Sequence, residues 1–147
     1  MTQTVRFQKL DDRAVAPAYG SAAAAGADLY AVTDAPVTIE AGQTVLVHTG
    51  LAVEIPEGFV GLVCARSGLA TKQGLAPANK VGVIDADYRG EVMVALHNHG
   101  GECRTIESGE RIAQLVLVPY LTAAYEQADS LTDTARGDGG FGSTGTK

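Results

Sequence analysis

The stretch EVMVALHN, residues 91–98, indicates most directly which fold this chain adopts. It is rich in β-forming apolar residues, is too short for a typical amphipathic helix, and leads into the turn sequence His99-Gly100-Gly101. Similar runs recur from Val5 to Leu121, separated by Gly, Pro, Asn or Asp, as is typical of stacked antiparallel strands. The clearest of these cover residues 37–39, 45–47, 51–55, 59–64 and 112–118. The pattern predicts an all-β fold, a jelly-roll-like β-sandwich or barrel.

The segments between the predicted strands have the residues of tight turns. Ala41-Gly42, Pro56-Glu57-Gly58 and Ser108-Gly109-Glu110 are of this kind, and they imply hairpins throughout. One short helix is expected over residues 67–73, with Ser67 as its N-cap and Gly74 ending it.

Length and charge limit the classes of function. The 147 residues fit a single domain, and a net charge of −6 argues against a surface for DNA or RNA polymers but leaves room for a small phosphorylated ligand. The sequence has no apolar stretch of membrane-spanning length and no signal-peptide pattern, so we expect a cytoplasmic protein without a membrane contact. Cys64 and Cys103 form no spaced cluster and are expected to be free thiols.

The C-terminal end differs from the rest of the chain. We expect a β domain over residues 1–135 and a glycine-rich flexible tail over residues 136–147. The composition fits a disordered tail, but it also fits a lid in which Arg136 binds phosphate and Phe141 stacks on a base. Arg136-Gly137-Asp138 is similar to an integrin-binding tripeptide, a role that a cytoplasmic location disfavours.

Two internal segments are candidates for chemistry. Arg66-Ser67-Gly68 precedes the predicted helix and fits either a phosphate site or an ordinary capped helix. Residues 79–91 predict a hairpin with its turn at 85–90, whose exposed edge amides would suit the reading of a base. Asp85 at its end fits either a general base acting on water or a turn residue.

Metal binding by the protein itself has little support in the sequence. His97 and His99 would share a strand face, the minimum for a metal pair, but no third ligand is suitably spaced, which favours surface histidines. Any Mg²⁺ would be brought by phosphates.

Five segments, in this order, closely resemble the five motifs of the homotrimeric dUTP pyrophosphatases (dUTPases). They are Ala25-Gly26-Ala27-Asp28-Leu29, Arg66-Ser67-Gly68-Leu69-Ala70, Gly82-Val83-Ile84-Asp85-Ala86-Asp87-Tyr88-Arg89-Gly90-Glu91, Gly109-Glu110-Arg111-Ile112-Ala113-Gln114 and Arg136-Gly137-Asp138-Gly139-Gly140-Phe141-Gly142-Ser143. The third and fifth are the most specific.

The resemblance implies a role for individual residues in binding the nucleoside. Asn79 and the main chain of Val83 and Ile84 would hold the uracil edge. Tyr88 would pack beneath the sugar and exclude a ribose 2′-hydroxyl, and Met93 would line the same pocket.

The resemblance also implies how the phosphates are held and cleaved. Asp85 would bind the 3′-hydroxyl and orient a water for in-line attack on the α-phosphorus, giving dUMP and pyrophosphate. The phosphate chain would be held by Arg66, Ser67, Gly68 and Gln114, with Mg²⁺ on its oxygens and Asp28 acting at most through water. The tail residues Arg136, Ser143 and Thr144 would contact the γ-phosphate while Phe141 covers the base.

The family assembles each site from three subunits, so the resemblance implies a homotrimer with shared active sites. It would lower the cellular concentration of dUTP and supply the dTMP precursor. Two alternatives stay open at this point: a dCTP deaminase of the same fold, and a jelly-roll regulator that binds a nucleotide without turning it over.

Overall fold

The computed structural model describes residues 2–140 and has the expected all-β architecture with one short helix in this part of the chain. The elements are β1 (Arg6–Lys9), β2 (Ala18–Tyr19), β3 (Gly26–Tyr30), β4 (Val37–Ile39), β5 (Thr44–Glu54), β6 (Phe59–Cys64), α1 (Ser67–Gln73), β7 (Leu75–Pro77), β8 (Val81–Ile84), β9 (Glu91–Asn98), β10 (Arg104–Ile106) and β11 (Arg111–Pro119). A four-stranded sheet in the order β1-β5-β9-β7 faces a five-stranded sheet in the order β2-β3-β11-β6-β8, and β10 pairs with β4. All named pairings are antiparallel.

The apolar core lies between the two larger sheets. Alternate residues of β9 face it, so Val92, Val94 and Leu96 are buried while Met93 is exposed on the opposite face. Buried residues of β3, β6 and β11 supply the other side of the core. No helix in residues 2–140 is long and apolar enough to cross a membrane.

The predicted strands at 37–39, 59–64 and 91–98 are confirmed, and the one at 112–118 lies within β11. The prediction of separate strands at 45–47 and 51–55 is wrong, because residues 45–47 and 51–54 belong to the single strand β5, which ends before Ile55. Between His48 and Ala52 the pairing with β9 changes register, so β5 carries a bulge there. Gly50 in the bulge has a φ of 65°, a left-handed conformation that favours glycine.

The helix is confirmed over Ser67–Gln73, but its predicted N-cap is wrong. Arg66 occupies the N-cap position with extended backbone and no capping hydrogen bond from its side chain, and Ser67 is the first helical residue. Gly74 ends the helix as predicted, in a left-handed conformation in which its amide donates to the carbonyl groups of the last turn.

The expected hairpin over residues 79–91 is also wrong in its pairing. The chain turns between Ile84 and Glu91 as predicted, but β8 pairs with β6 in the five-stranded sheet and β9 pairs with β5 and β7 in the four-stranded sheet. The turn therefore connects two sheets, and the two strands diverge because each has another hydrogen-bonding partner. Within the described residues, β8 is an edge strand, as the sequence suggested.

Candidate active site

The first candidate pocket opens between β8 and β9, where these strands separate into different sheets. It is a cavity of about 320 Å³ beside the free edge of β8. Alternate amide and carbonyl groups of an edge strand have no partner strand and are available to a ligand. The predicted site residues among its lining are Asn79, Val83, Ile84, Asp85, Tyr88 and Met93.

Asn79 lies two residues before β8, and its side chain is close to Gly82 of that strand. Its side-chain nitrogen is 3.4 Å from the position that a Cβ atom on Gly82 would take. The same Cβ would lie 3.1 Å from the Val63 Cβ, so a larger residue at Gly82 would crowd both the amide and the sheet. An amide side chain and strand-edge peptide groups together supply the donors and acceptors that the edge of a heterocyclic base requires.

Tyr88 has a defined orientation at the mouth of this pocket. Its hydroxyl donates a hydrogen bond of 2.9 Å to the main-chain carbonyl of Glu91, and 42% of the residue is exposed. The ring end lies so close to Gly90 that a Cβ atom there would overlap the hydroxyl. Glycine at this position therefore permits the tyrosine to fold back over the chain.

Asp85 follows β8 immediately, and its carboxylate is exposed at the pocket. The turn that begins here is held by Arg89, whose guanidinium donates to the carbonyls of Ala86 at 2.6 Å and Tyr88 at 3.0 Å. Because β8 and β9 do not pair with each other, no strand hydrogen bonds close this turn. The two hydrogen bonds from Arg89 restrict it instead.

A second cavity, of about 260 Å³, lies where β3, β11 and the segment after β6 meet. Register explains the convergence, because Gln114 of β11 lies opposite both Asp28 of β3 and Cys64 of β6. The Gln114 side chain donates to the Ala65 carbonyl at 2.9 Å. The predicted site residues in its lining are Asp28, Arg66, Ser67, Gly68 and Gln114.

Two guanidinium groups meet at the Asp28 carboxylate in this cavity. Arg66 Nε donates at 3.0 Å to one oxygen, and Arg111 Nη1 donates at 3.2 Å to the other. One carboxylate facing two cations leaves a net positive charge, which suits a phosphate chain. The sequence did not predict a role for Arg111. The only sequence signal was its place in the fourth of the five segments, because its position opposite β3 depends on strand pairing.

Asp28 is the only carboxylate among the predicted metal contacts, and its hydrogen bonds bear on metal binding. In residues 2–140 no group of three or more His, Cys, Asp or Glu side chains is arranged to hold a metal ion. Asp28, the expected outer ligand, already accepts a hydrogen bond from an arginine on each oxygen, which makes it a poor direct ligand.

The rings of His97 and His99 pack against each other with centroids 4.4 Å apart. Burial, nearby Lys80 and His97 lower the pKa of His99.

The two cavities are separate among the described residues of one chain. Their linings share no residue in the described part of the molecule. Ile84 pairs with Gly61, so Asp85 lies about level with Val60, six residues before Arg66 along the chain. At about 3.3 Å per residue this corresponds to roughly 20 Å.

The C-terminal segment leaves the body of the domain after β11. Leu121, Tyr125 and Leu131 are almost fully exposed, with relative exposures of 98%, 97% and 89%. Arg136 donates to the Gly139 carbonyl at 2.7 Å and lines neither of the two cavities. The other tail residues predicted to bind substrate, Phe141, Ser143 and Thr144, lie outside the described residues.

The fold and the two cavities define a β-sandwich protein suited to a heterocyclic base at one place and a polyanion at the other. Residues 12–145 match the family model described as dUTPase. The deoxyuridine 5′-triphosphate nucleotidohydrolase of Desulfitobacterium hafniense (strain DSM 10664 / DCB-2) is 51% identical over 142 residues, covering 96% of this chain and 94% of that protein. Its counterpart in Hahella chejuensis (strain KCTC 2396) is 46% identical over 141 residues, covering 95% and 93%.

A solved structure is similar as well. The dUTPase of Staphylococcus bacteriophage 80alpha with dUPNHPP superposes with a TM-score of 0.88 at 31% sequence identity, covering 98% of this chain and 99% of that chain. The chain belongs to the dUTPase family.

Proposed function

We propose that this chain hydrolyses dUTP to dUMP and pyrophosphate, which lowers dUTP and supplies the precursor of dTMP. The observation that carries the proposal is the pair of cavities in a member of the dUTPase family: a strand edge with Asn79 beside it, and a pocket with two arginines at one carboxylate. The first suits uracil and the second suits a triphosphate.

Selection of the base and sugar would take place in the cavity between β8 and β9. The main chain at Val83 and Ile84, together with Asn79, would pair with the uracil edge, and cytosine would be excluded because it presents the opposite donor and acceptor pattern. Tyr88 would lie beneath the sugar and leave no room for a 2′-hydroxyl, and Met93 would complete the apolar lining.

Asp85 is the proposed catalytic residue. Its exposed carboxylate would bind the 3′-hydroxyl and accept a proton from the attacking water, which would approach the α-phosphorus in line with the leaving pyrophosphate. The hydrogen bonds of Arg89 to the carbonyls of Ala86 and Tyr88 support this role by restricting the turn on which Asp85 stands.

The phosphate chain would be bound by Arg66, Ser67, Gly68 and Gln114, with Arg111 as an additional cation. Asp28 would hold both guanidiniums in the correct direction. Because that carboxylate is engaged, we propose that Mg²⁺ is held by substrate phosphate oxygens, with the protein reaching it at most through water. When bound, Mg²⁺ would supply neutralisation of the phosphate charge.

A complete site would need more than one copy of the chain. Asp85 would act at the α-phosphorus of a phosphate chain that Arg66, Ser67 and Gln114 hold, but roughly 20 Å, at about 3.3 Å per residue, separates Asp85 from Arg66 within one chain. We therefore propose a homotrimer in which the cavity between β8 and β9 of one subunit, the base pocket, faces the cavity around Asp28 and Arg66 of another, the phosphate pocket. Exposed apolar side chains around the base pocket, among them Leu46, Val83 and Met93, support a contact with a second copy.

The tail would complete the site. We propose that residues 136–147 form a lid, in which Arg136, Ser143 and Thr144 contact the γ-phosphate and Phe141 covers the base of a neighbouring subunit's substrate. Deleting these residues should reduce turnover and leave the trimer intact in sedimentation, because the strands and helix of the described domain lie within residues 6–119. Loss of the trimer would contradict the lid role.

The proposed reaction is tested by supplying dUTP, dCTP, dTTP and UTP separately with Mg²⁺ and measuring pyrophosphate and ammonia. Pyrophosphate from dUTP alone is the expected result. Ammonia from dCTP would identify a deaminase instead. Nucleotide binding without either product would indicate a regulatory protein.

A further inference from the structure

The bulge in β5 lies against the start of β9, next to the base pocket. His48 pairs with Met93 and Ala52 pairs with Glu91, so three residues of β5 oppose a single residue of β9. The regular ladder of hydrogen bonds is broken over this length. Side chains replace it, beginning with the buried Thr49, whose hydroxyl donates to the Val92 carbonyl at 2.5 Å.

The Glu91 side chain also replaces strand hydrogen bonds that the bulge lacks. One carboxylate oxygen accepts a hydrogen bond of 2.8 Å from the Gly50 amide, and the other lies 2.9 Å from His48 Nδ1. The Glu91 side chain is only 21% exposed. The Gly50 carbonyl accepts from the Leu10 amide at 2.7 Å, so the bulge that Glu91 contacts is itself held from the other side.

The same residue also holds Tyr88, but through its main chain. The Tyr88 hydroxyl donates to the Glu91 carbonyl at 2.9 Å. Glu91, at the rim of the base pocket, thus contacts β5 through its side chain and orients Tyr88 through its carbonyl. Movement of the Glu91 backbone would carry the acceptor of the Tyr88 hydroxyl with it.

We propose that Glu91 is a positioning residue that sets the preference for deoxyribose over ribose, acting through the orientation of Tyr88. This rests on the proposed function, in which the Tyr88 ring excludes the 2′-hydroxyl. The two contacts of the carboxylate fix the start of β9, and the carbonyl then fixes the ring.

Two substitutions at Glu91 distinguish the effect of side-chain length from the effect of charge. Glu91→Asp keeps the charge but is one methylene shorter and cannot reach both Gly50 and His48. Glu91→Gln keeps the length and an acceptor oxygen for the Gly50 amide. We expect Glu91→Asp to lower the ratio of kcat/KM for dUTP to that for UTP by about tenfold, which corresponds to about 1.4 kcal/mol. Glu91→Gln should stay within about twofold of wild type, a difference below about 0.5 kcal/mol.

The route through Tyr88 is tested with Tyr88→Phe, which removes the hydroxyl and keeps the ring. If both residues act through one hydrogen bond, the double variant Tyr88→Phe with Glu91→Asp should lose no more preference than the more affected single variant. Glu102→Gln is the matched control, because Glu102 is an exposed carboxylate that pairs with Arg104 away from the pocket.

A wild-type ratio in Glu91→Asp, an equal loss in Glu91→Gln, or multiplication of the two single effects in the double variant would each overturn the proposal. These outcomes are distinct from failure of the proposed function. If the wild-type chain itself shows no preference for dUTP over UTP, the proposed function fails before Glu91 is considered.

Discussion

At the scale of single residues, Asp85 is the proposed general base, and the nearby Asp87 offers a control substitution. Replacing Asp85 with Asn should lower kcat by at least about 100-fold, because a general base of this kind contributes about that much or more. Binding of a non-hydrolysable dUTP analogue, measured by calorimetry, should change far less. Asp87→Asn removes an exposed carboxylate two residues away and should leave kcat unchanged. Equal effects of both substitutions would argue against a base at Asp85.

Asn98 stabilises the fold from a buried position, which a polar side chain in the sequence does not indicate. It is completely buried, its amide group donates to the Ile39 carbonyl at 2.9 Å and the Glu102 carbonyl at 2.8 Å, and its oxygen accepts from the Gly100 amide. Asn98→Ala should lower the free energy of unfolding by about 2–4 kcal/mol, since buried backbone groups lose their partners.

Chemical denaturation measures the effect of Asn98→Ala directly. Thr38→Ala, at an exposed position on β4, is the control and should change stability by less than about 0.5 kcal/mol. A similarly small effect at Asn98 would mean that water replaces the lost hydrogen bonds.

At the scale of elements, strands with strong β-forming runs were predictable, as β4, β6 and β9 demonstrate. The joining of residues 45–47 and 51–54 into one strand was not, because the intervening His48-Thr49-Gly50 resembles a break in the sequence. It is held in the strand by hydrogen bonds to residues distant in the chain, namely Glu91, Val92 and Leu10. The separation of β8 and β9 into different sheets likewise depends on pairings with β6 and β5, which local sequence does not encode.

In the candidate site too, features set by local sequence were predictable and those set by strand pairing were not. Each predicted residue within 2–140 except Arg136 lines one of the two cavities, since the motifs are local sequence patterns. The pairing of Arg66 and Arg111 with Asp28 depends on the register of three strands, and so Arg111 went unnoticed.

An ion-pair cluster connects the turn after β1 to the loop after β3. Hydrogen bonds from the Arg13 side chain and then its backbone amide lower the pKa of Asp11 from 3.8 to about 2, and Arg13 also pairs with Asp34. Because the folded-state pKa is the lower one, the stabilisation is complete above the unfolded value and is lost as the pH falls through about 2.

This shift predicts how Asp11→Asn responds to pH. The variant should be less stable than wild type at about pH 7, and the difference should shrink as the pH falls from about 5 towards 2. Urea unfolding at several pH values measures it. A difference that grows on acidification would contradict the assignment.

At the scale of the whole molecule, the central claim is that each active site combines residues of different subunits. Within one chain, Asp85 and Arg66 belong to separate cavities that share no lining residue among those described. A trimer would also cover apolar side chains that the single chain exposes around the base pocket.

Mixing two inactive variants tests this claim most directly. Asp85→Asn removes the proposed general base, which lines the base pocket, and Arg66→Ala removes a proposed phosphate ligand from the phosphate pocket. Refolded together in equal amounts, they should form mixed trimers in which about one site in four combines two intact halves, because each half is intact with a probability of about one half. We expect recovery of up to about a quarter of wild-type activity. Activity no higher than that of the separate variants, in trimers shown to be mixed, would contradict the account.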